Sequence, residues 1–182
     1  MSKSTKTDFR SYIESYPDFP KPGVMYRDFT KLLADPDALH AAVEEIEQHF
    51  KDKAISKIAA IEAKGFTLGA ALAYRMRKPL LLIRKPELVP GEVDKESFIK
   101  EYGSAEYQLK RGQLAGDDRV LIVYDIMAGP GATSAAINLV RRAGANVAGC
   151  AFIIELAYLG GREQMAQFDL FSLVKFDAAA EV

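Results

Sequence analysis

Lys64, the Arg84-Lys85 pair and Asp125 are the side chains whose types and surroundings best suit binding chemistry. Lys64 and Arg84-Lys85 each close a short apolar run. Asp125 closes another and leads into Ala128-Gly129-Pro130-Gly131-Ala132, a glycine-rich loop before a helical stretch. Basic side chains beside a helix N-terminus attract a polyanion such as a diphosphate or a phosphorylated sugar. A carboxylate on the same rim can hold sugar hydroxyls, directly or through Mg2+. Taken singly, each feature has a blander reading. A Lys or Arg past a strand is usually solvated, Gly-Pro-Gly is usually a turn, and a lone Asp can cap its own turn. Their joint placement at strand ends carries the argument.

The elements that would position them follow from periodicity. Residues 9–16 carry Tyr12, Ile13 and Tyr16 at helical spacing and stop before Pro17, which predicts a short helix. The segment 17–23 holds Pro17, Pro20 and Pro22 and reads as a stiff loop able to position function. Asp35-Pro36 starts a helix, with Leu39, Val43, Ile46 and Phe50 on one face and Glu44, Glu45, Glu47 and Lys51 on the other. Strands are expected at 57–61, 79–83, 120–124 and 149–156, and helices at 66–76 and 133–143, the latter closed by Gly144. The charged stretch 87–100, with Pro90-Gly91, reads as a mobile excursion holding one hairpin. Apolar strands alternating with helices define an α/β fold, a mostly parallel twisted sheet flanked by helices. Ligands of such sheets sit at the carboxyl ends of the strands.

Composition narrows the function. The chain has 182 residues, 24 Lys+Arg against 25 Asp+Glu and a formal net charge of -1. It lacks the basic excess that nucleic acid or an anionic membrane selects, and its apolar runs fall far short of the roughly 20 residues that span a bilayer. The start of the sequence does not read as a secretory signal. A single cysteine, Cys150, excludes an internal disulfide and multi-Cys metal sites, and points to a cytoplasmic setting. With only His40 and His49, imidazole chemistry has little to draw on. No repeat divides the chain, so residues 1–182 read as one domain.

Several blocks, in order, resemble the purine branch of the type I phosphoribosyltransferases, nearest to its adenine-using members. They are the run from Tyr16 through Gly23 to Asp28, then Ile61-Glu62-Ala63-Lys64-Gly65-Phe66, Ile83-Arg84-Lys85-Pro86, Pro90-Gly91-Glu92, Lys100-Glu101-Tyr102-Gly103 and the run from Glu155 to Glu163. The resemblance implies that family's fold, with an N-terminal hood on the purine side at about 1–34 and a mobile lid at about 86–105. It implies transfer of phosphoribose from 5-phosphoribosyl 1-diphosphate to adenine, giving AMP and diphosphate, with Mg2+ as cofactor and a homodimer as the assembly. Site roles are implied in the same way. Tyr26, where the family usually has Phe, would stack on the purine, and the backbones of Val24 and Arg27 would read its edge. Lys64, in place of the usual Arg, would meet the diphosphate with Arg84, Lys85 and Tyr102. Glu101 would assist proton movement at the ring. Asp125 would hold the ribose hydroxyls and touch the metal indirectly, and Ala128, Gly129, Pro130, Gly131, Ala132 and Thr133 would hold the ribose phosphate.

The phosphate motif departs from the family's V-D-D, two apolar residues, A-T-G-G-T. Here Val123 is followed by Tyr124 in place of the first acid, Gly129 and Ala132 stand for the threonines, and Pro130 removes a backbone donor. Hydrogen bonds to a charged group contribute about 1.5–3 kcal/mol each. Losing two hydroxyls and one N–H therefore weakens binding by on the order of a hundredfold or more, even when only half the total is felt. Thr133 and Ser134 return hydroxyls one position later. Two functions follow: the transferase, favoured by Glu101, Arg84 and Lys85, or a non-catalytic relative that binds a purine nucleotide or nucleobase as a regulatory module, favoured by the altered loop.

Overall fold

The computed structural model describes residues 7–99 and 103–181. A 3-10 turn, Phe9–Tyr12, opens it, followed by a ribbon in which β1 (Glu14–Tyr16) pairs antiparallel with β2 (Tyr26–Asp28). This corrects the helix expected over 9–16. Tyr16 sits opposite Tyr26, and that pairing draws the segment's end into the ribbon; the prolines between them make the reversal.

Next come α1 (Thr30–Ala34) and α2 (Pro36–Phe50). The Asp35 carboxylate accepts the N–H groups of Asp37 and Ala38, both at 3.0 Å, and Pro36 supplies the first helical position. The buried face of α2 is Ala38, Ala42, Val43, Ile46 and Phe50. Then β3 (Lys57–Ile61), α3 (Gly65–Met76) and β4 (Leu80–Ile83) make the first β-α-β unit, with β3 and β4 parallel.

The charged stretch that follows is more regular than its sequence suggested. Strands β5 (Val93–Ile99) and β6 (Ser104–Lys110) pair antiparallel from Val93 with Lys110 to Ile99 with Ser104. Outward charges such as Lys95 obscure the alternation in the sequence. The hairpin's base is sewn to the sheet, since Arg84 and Gln108 exchange backbone hydrogen bonds of 2.9 and 2.7 Å. Its flank is tied to the helix after β7 (Arg119–Met127). In that helix, α4 (Gly131–Arg142), Asn138 donates to Glu96 at 2.8 Å and Arg142 pairs with the same carboxylate. Beyond α4 lie β8 (Asn146–Leu156), the short α5 (Gly161–Gln164) and β9 (Leu170–Phe176).

The main sheet runs β4-β3-β7-β8-β9, all parallel. The chain winds outward from β3 to β4, then returns to place β7 on the other side of β3. The switch point therefore lies between the carboxyl ends of β3 and β7, the position where such sheets bind ligands. One apolar layer, including Ile46, Phe50, Leu68, Leu72, Leu121 and Val123, packs under α2 and α3. The other, including Ile122, Phe152, Ile137, Leu139 and Tyr107, packs under α4 and the hairpin.

Candidate active site

At the switch point the turn after β3 and the end of β7 face each other. Lys64 stands at the cap position of α3, and its ammonium lies 3.5 Å from the carboxylate of Asp125. The same ammonium donates a 2.8 Å hydrogen bond to the hydroxyl of Tyr26 and sits 4.7 Å from the centre of that ring and 5.7 Å from that of Phe29. Three sequence-selected residues from distant parts of the chain are thus joined through one cation. Burial alone would lower the Lys64 pKa, but the Tyr26 hydrogen bond and the Asp125 charge outweigh it and raise the net value. Asp125 is only 5% exposed, and burial raises its pKa despite the opposing pull of Lys64.

The phosphate loop departs from its expected boundaries. Helix α4 begins at Gly131, two residues earlier than the 133 expected, so Gly131 and Ala132 belong to its first turn. The cause is Pro130, whose ring presets a helical φ, here -72°. The first N–H groups of a helix, here those of Gly131, Ala132 and Thr133, have no intrahelical acceptor and are open to an anion. These residues, with Ala128, Gly129 and Pro130, line a cleft of about 660 Å³ whose other walls include Phe98, Tyr107, Tyr124 and Leu159.

Arg84 and Lys85 stand further off. Glu62, at the end of β3, accepts from the Arg84 guanidinium at 3.2 Å and from the Lys85 backbone at 3.0 Å, while Arg84 also donates to the Leu88 carbonyl. Lys85 lines a neighbouring cleft of about 450 Å³ with Ser97, Glu106 and Tyr107. On the purine side, Tyr26 meets Phe19 edge-on at 5.2 Å between ring centroids. The Val24 carbonyl accepts from Phe19 N–H and the Val24 N–H donates to Lys21, both at 3.2 Å, so its backbone already closes the loop. Arg27 is buried on β2. Its guanidinium donates to the carbonyls of Ala179 and Glu181 near the other end of the chain and lies 3.9 Å from the centre of the Phe176 ring. Glu101 and Tyr102 lie outside the described residues.

For Mg2+, the donor set is sparse. Among the described residues no group of three or more His, Cys, Asp or Glu could enclose a metal. Asp125 offers hard oxygens that already face Lys64. This donor set suits a cation carried by the oxygens of a phosphorylated ligand, which Asp125 would reach only through ribose hydroxyls or water, better than one held in a protein cage.

Several residues escaped the sequence reading. Tyr107 on β6 and Tyr124 on β7 bring their phenols together beneath the hairpin, and burial pushes the pKa of each upward. Glu62 organises the basic pair. Glu155, 1% exposed at the end of β8, is gripped by both arms of the Arg162 fork at 2.7 and 2.5 Å and by Ser172 at 2.9 Å. That grip fixes the turn presenting Leu159 and Gly161. The approach at Gly161 is so close that a β-carbon there would stand 2.1 Å from the Ala128 carbonyl oxygen. Only the Glu155-to-Glu163 block hinted at this support.

A parallel sheet with this strand order, a basic turn and an acid at the switch point, and a helix-capped phosphate loop beneath a hairpin together define the type I phosphoribosyltransferase fold. No family model matches the chain. It is 43% identical over 165 residues to the adenine phosphoribosyltransferase of Idiomarina loihiensis, covering 91% of this chain and 93% of that protein. The crystal structure of adenine phosphoribosyltransferase from Thermoanaerobacter pseudethanolicus superposes with a TM-score of 0.90 at 34% identity, covering 94% of this chain and all of that one. The APRTase of Giardia lamblia, solved with 9-deazaadenine, gives 0.89 at 33% identity, covering 94% of this chain and 97% of that one. The chain belongs to the adenine phosphoribosyltransferase family.

Proposed function

We infer that this protein is a pentosyltransferase of purine salvage, joining adenine to the ribose of 5-phosphoribosyl 1-diphosphate to give AMP and diphosphate. The observation that carries the reading is the meeting of Lys64, Asp125 and Tyr26 at the switch point beside the phosphate loop. Adenine N9 attacks the anomeric carbon as its bond to diphosphate breaks, and the N9 proton is lost. Tyr26 offers its ring face to the base. Asp125 holds the ribose hydroxyls, the first turn of α4 holds the 5'-phosphate, and Lys64 offsets charge growing on the departing diphosphate. Glu101 is proposed to take the proton at the ring, with Tyr102, Arg84 and Lys85 on the diphosphate. The hairpin over the cleft limits water access. Mg2+ bound to the substrate's own oxygens would neutralise the diphosphate, with Asp125 reaching it indirectly through the ribose hydroxyls or water.

Nothing in the fold or among the relatives favours the non-catalytic alternative. A homodimer and a cytoplasmic location are further parts of the proposal. No helix among the described residues is long and apolar enough to cross a membrane. The test follows AMP formation from adenine and phosphoribosyl diphosphate with Mg2+, beside calorimetry with AMP. Turnover that is lost in Glu101→Gln supports the reading; tight AMP binding without turnover overturns it. Light scattering at micromolar concentration checks the dimer, and a monomer would refute it.

A further inference from the structure

We propose that Tyr26 serves both halves of the site: its ring faces the purine, while its hydroxyl positions Lys64 for the diphosphate. The inference rests on the transferase reading and assigns Tyr26 a second, separable role within it.

Lys64 is a flexible stem carrying a point charge, without the planar fork that lets a guanidinium aim itself. Its direction must therefore come from what it touches. Its shortest contact is the Tyr26 hydroxyl at 2.8 Å; the Asp125 carboxylate is at 3.5 Å, longer than the 2.7–2.9 Å of a strong charge-assisted hydrogen bond. The rings of Tyr26 and Phe29 add an undirected attraction. With two N–H directions of a tetrahedral ammonium turned to Tyr26 and Asp125, the third is left for a ligand. The Lys64 side chain is 46% exposed, so packing alone holds it only in part. Without the hydroxyl, the ammonium would swing into solvent or fall onto Asp125 and compete with the ribose hydroxyls for that carboxylate. Phenylalanine at position 26 would keep the stacking face for the base.

The resulting expectation is counter-intuitive for a residue on the purine side. Tyr26→Phe raises the KM for phosphoribosyl diphosphate by about tenfold, the loss of one hydrogen bond to a charged group, and leaves the KM for adenine within about twofold. In a Lys64→Met background, Tyr26→Phe has no further effect on phosphoribosyl diphosphate, because the group it positions is gone. Lys64→Arg added to Tyr26→Phe recovers part of the loss, since the planar guanidinium fork meets a phosphate without needing a neighbour to aim it. A Tyr26→Phe variant that loses adenine affinity but keeps that for phosphoribosyl diphosphate overturns the proposal, and so do losses in Tyr26→Phe and Lys64→Met that multiply independently. Calorimetry with inorganic diphosphate reads the same coupling without turnover. A wild-type chain that made no AMP yet lost diphosphate affinity on Tyr26→Phe would sink the transferase reading and sustain this one.

Discussion

The carbonyl oxygen of Ile99, in the last residue of β5, lies where a β-carbon on Gly131 would stand only 2.9 Å from it. The hairpin and the first turn of α4 therefore meet backbone to backbone, and the missing side chain sets their spacing. Gly131→Ala should push the hairpin outward, because neither backbone can yield as a side-chain tip can. The expected result is a KM for phosphoribosyl diphosphate raised by on the order of tenfold with the melting temperature nearly unchanged. Steady-state kinetics and thermal unfolding measure the two.

At Gly129 the situation is the reverse: nothing lies within 4 Å of an added β-carbon. Gly129 therefore has room for a β-carbon, and Gly129→Thr returns a hydroxyl to the loop. Its expected effect is tighter binding of phosphoribosyl diphosphate by about tenfold, the value of one hydrogen bond to a charged group. Calorimetry with AMP gives an independent reading through the 5'-phosphate.

If Asp125 holds the ribose as proposed, it should set the acid limb of activity. Burial holds its pKa above the usual aspartate value, with Lys64 pulling the other way, so the carboxylate form needed at the ribose is lost at a higher pH than for an exposed aspartate. Lys64→Met removes the opposing pull and should move the acid limb of kcat/KM further up. A raised folded-state pKa also means that the folded protein gains protons before the unfolded chain does, so this group's contribution to stability improves as pH falls through that value. Near pH 7, Asp125→Asn should thus stabilise the fold while lowering activity. Urea unfolding and a pH–rate profile check both signs.

Arg162→Ala leaves Glu155 buried, with Ser172 as its remaining hydrogen-bond partner. In the native protein burial would raise the Glu155 pKa, but Arg162 and Ser172 outweigh it and hold the carboxyl below its usual range. Removing one member of a buried pair costs about 3–5 kcal/mol. Arg162 is itself 41% exposed, so a loss of about 2–3 kcal/mol is expected once solvent screening is counted. Denaturant unfolding measures it, and Arg162→Lys, lacking the fork, should recover only part.

The sheet and the chemistry at its carboxyl ends were legible in the sequence because both are local. Apolar runs mark β3, β4 and β7; Lys64 comes three residues after β3, and Asp125 stands near the end of β7. What escaped depends on pairing between distant segments. Tyr107 became part of the site only when the hairpin folded it against β7. Glu62 stands in the sequence only as a neighbour of Lys64, and its role shows where its carboxylate meets Arg84 and the Lys85 N–H. The missed β9 alternates weakly, with Ser172 and Lys175 interrupting its apolar pattern, and the short β1 was mistaken for helix because Tyr12 and Tyr16 fit either period.

The end of β7 has one further consequence. Val120, Ile122 and Tyr124 pack toward the hairpin and α4, Leu121 and Val123 pack toward α3, and Asp125 meets Lys64. Neighbouring positions on one strand thus answer to different constituencies, one to the closing hairpin and the other to the sugar. A substitution at position 124 can therefore alter the contacts beneath the hairpin while leaving the pairing of Asp125 with Lys64 in place.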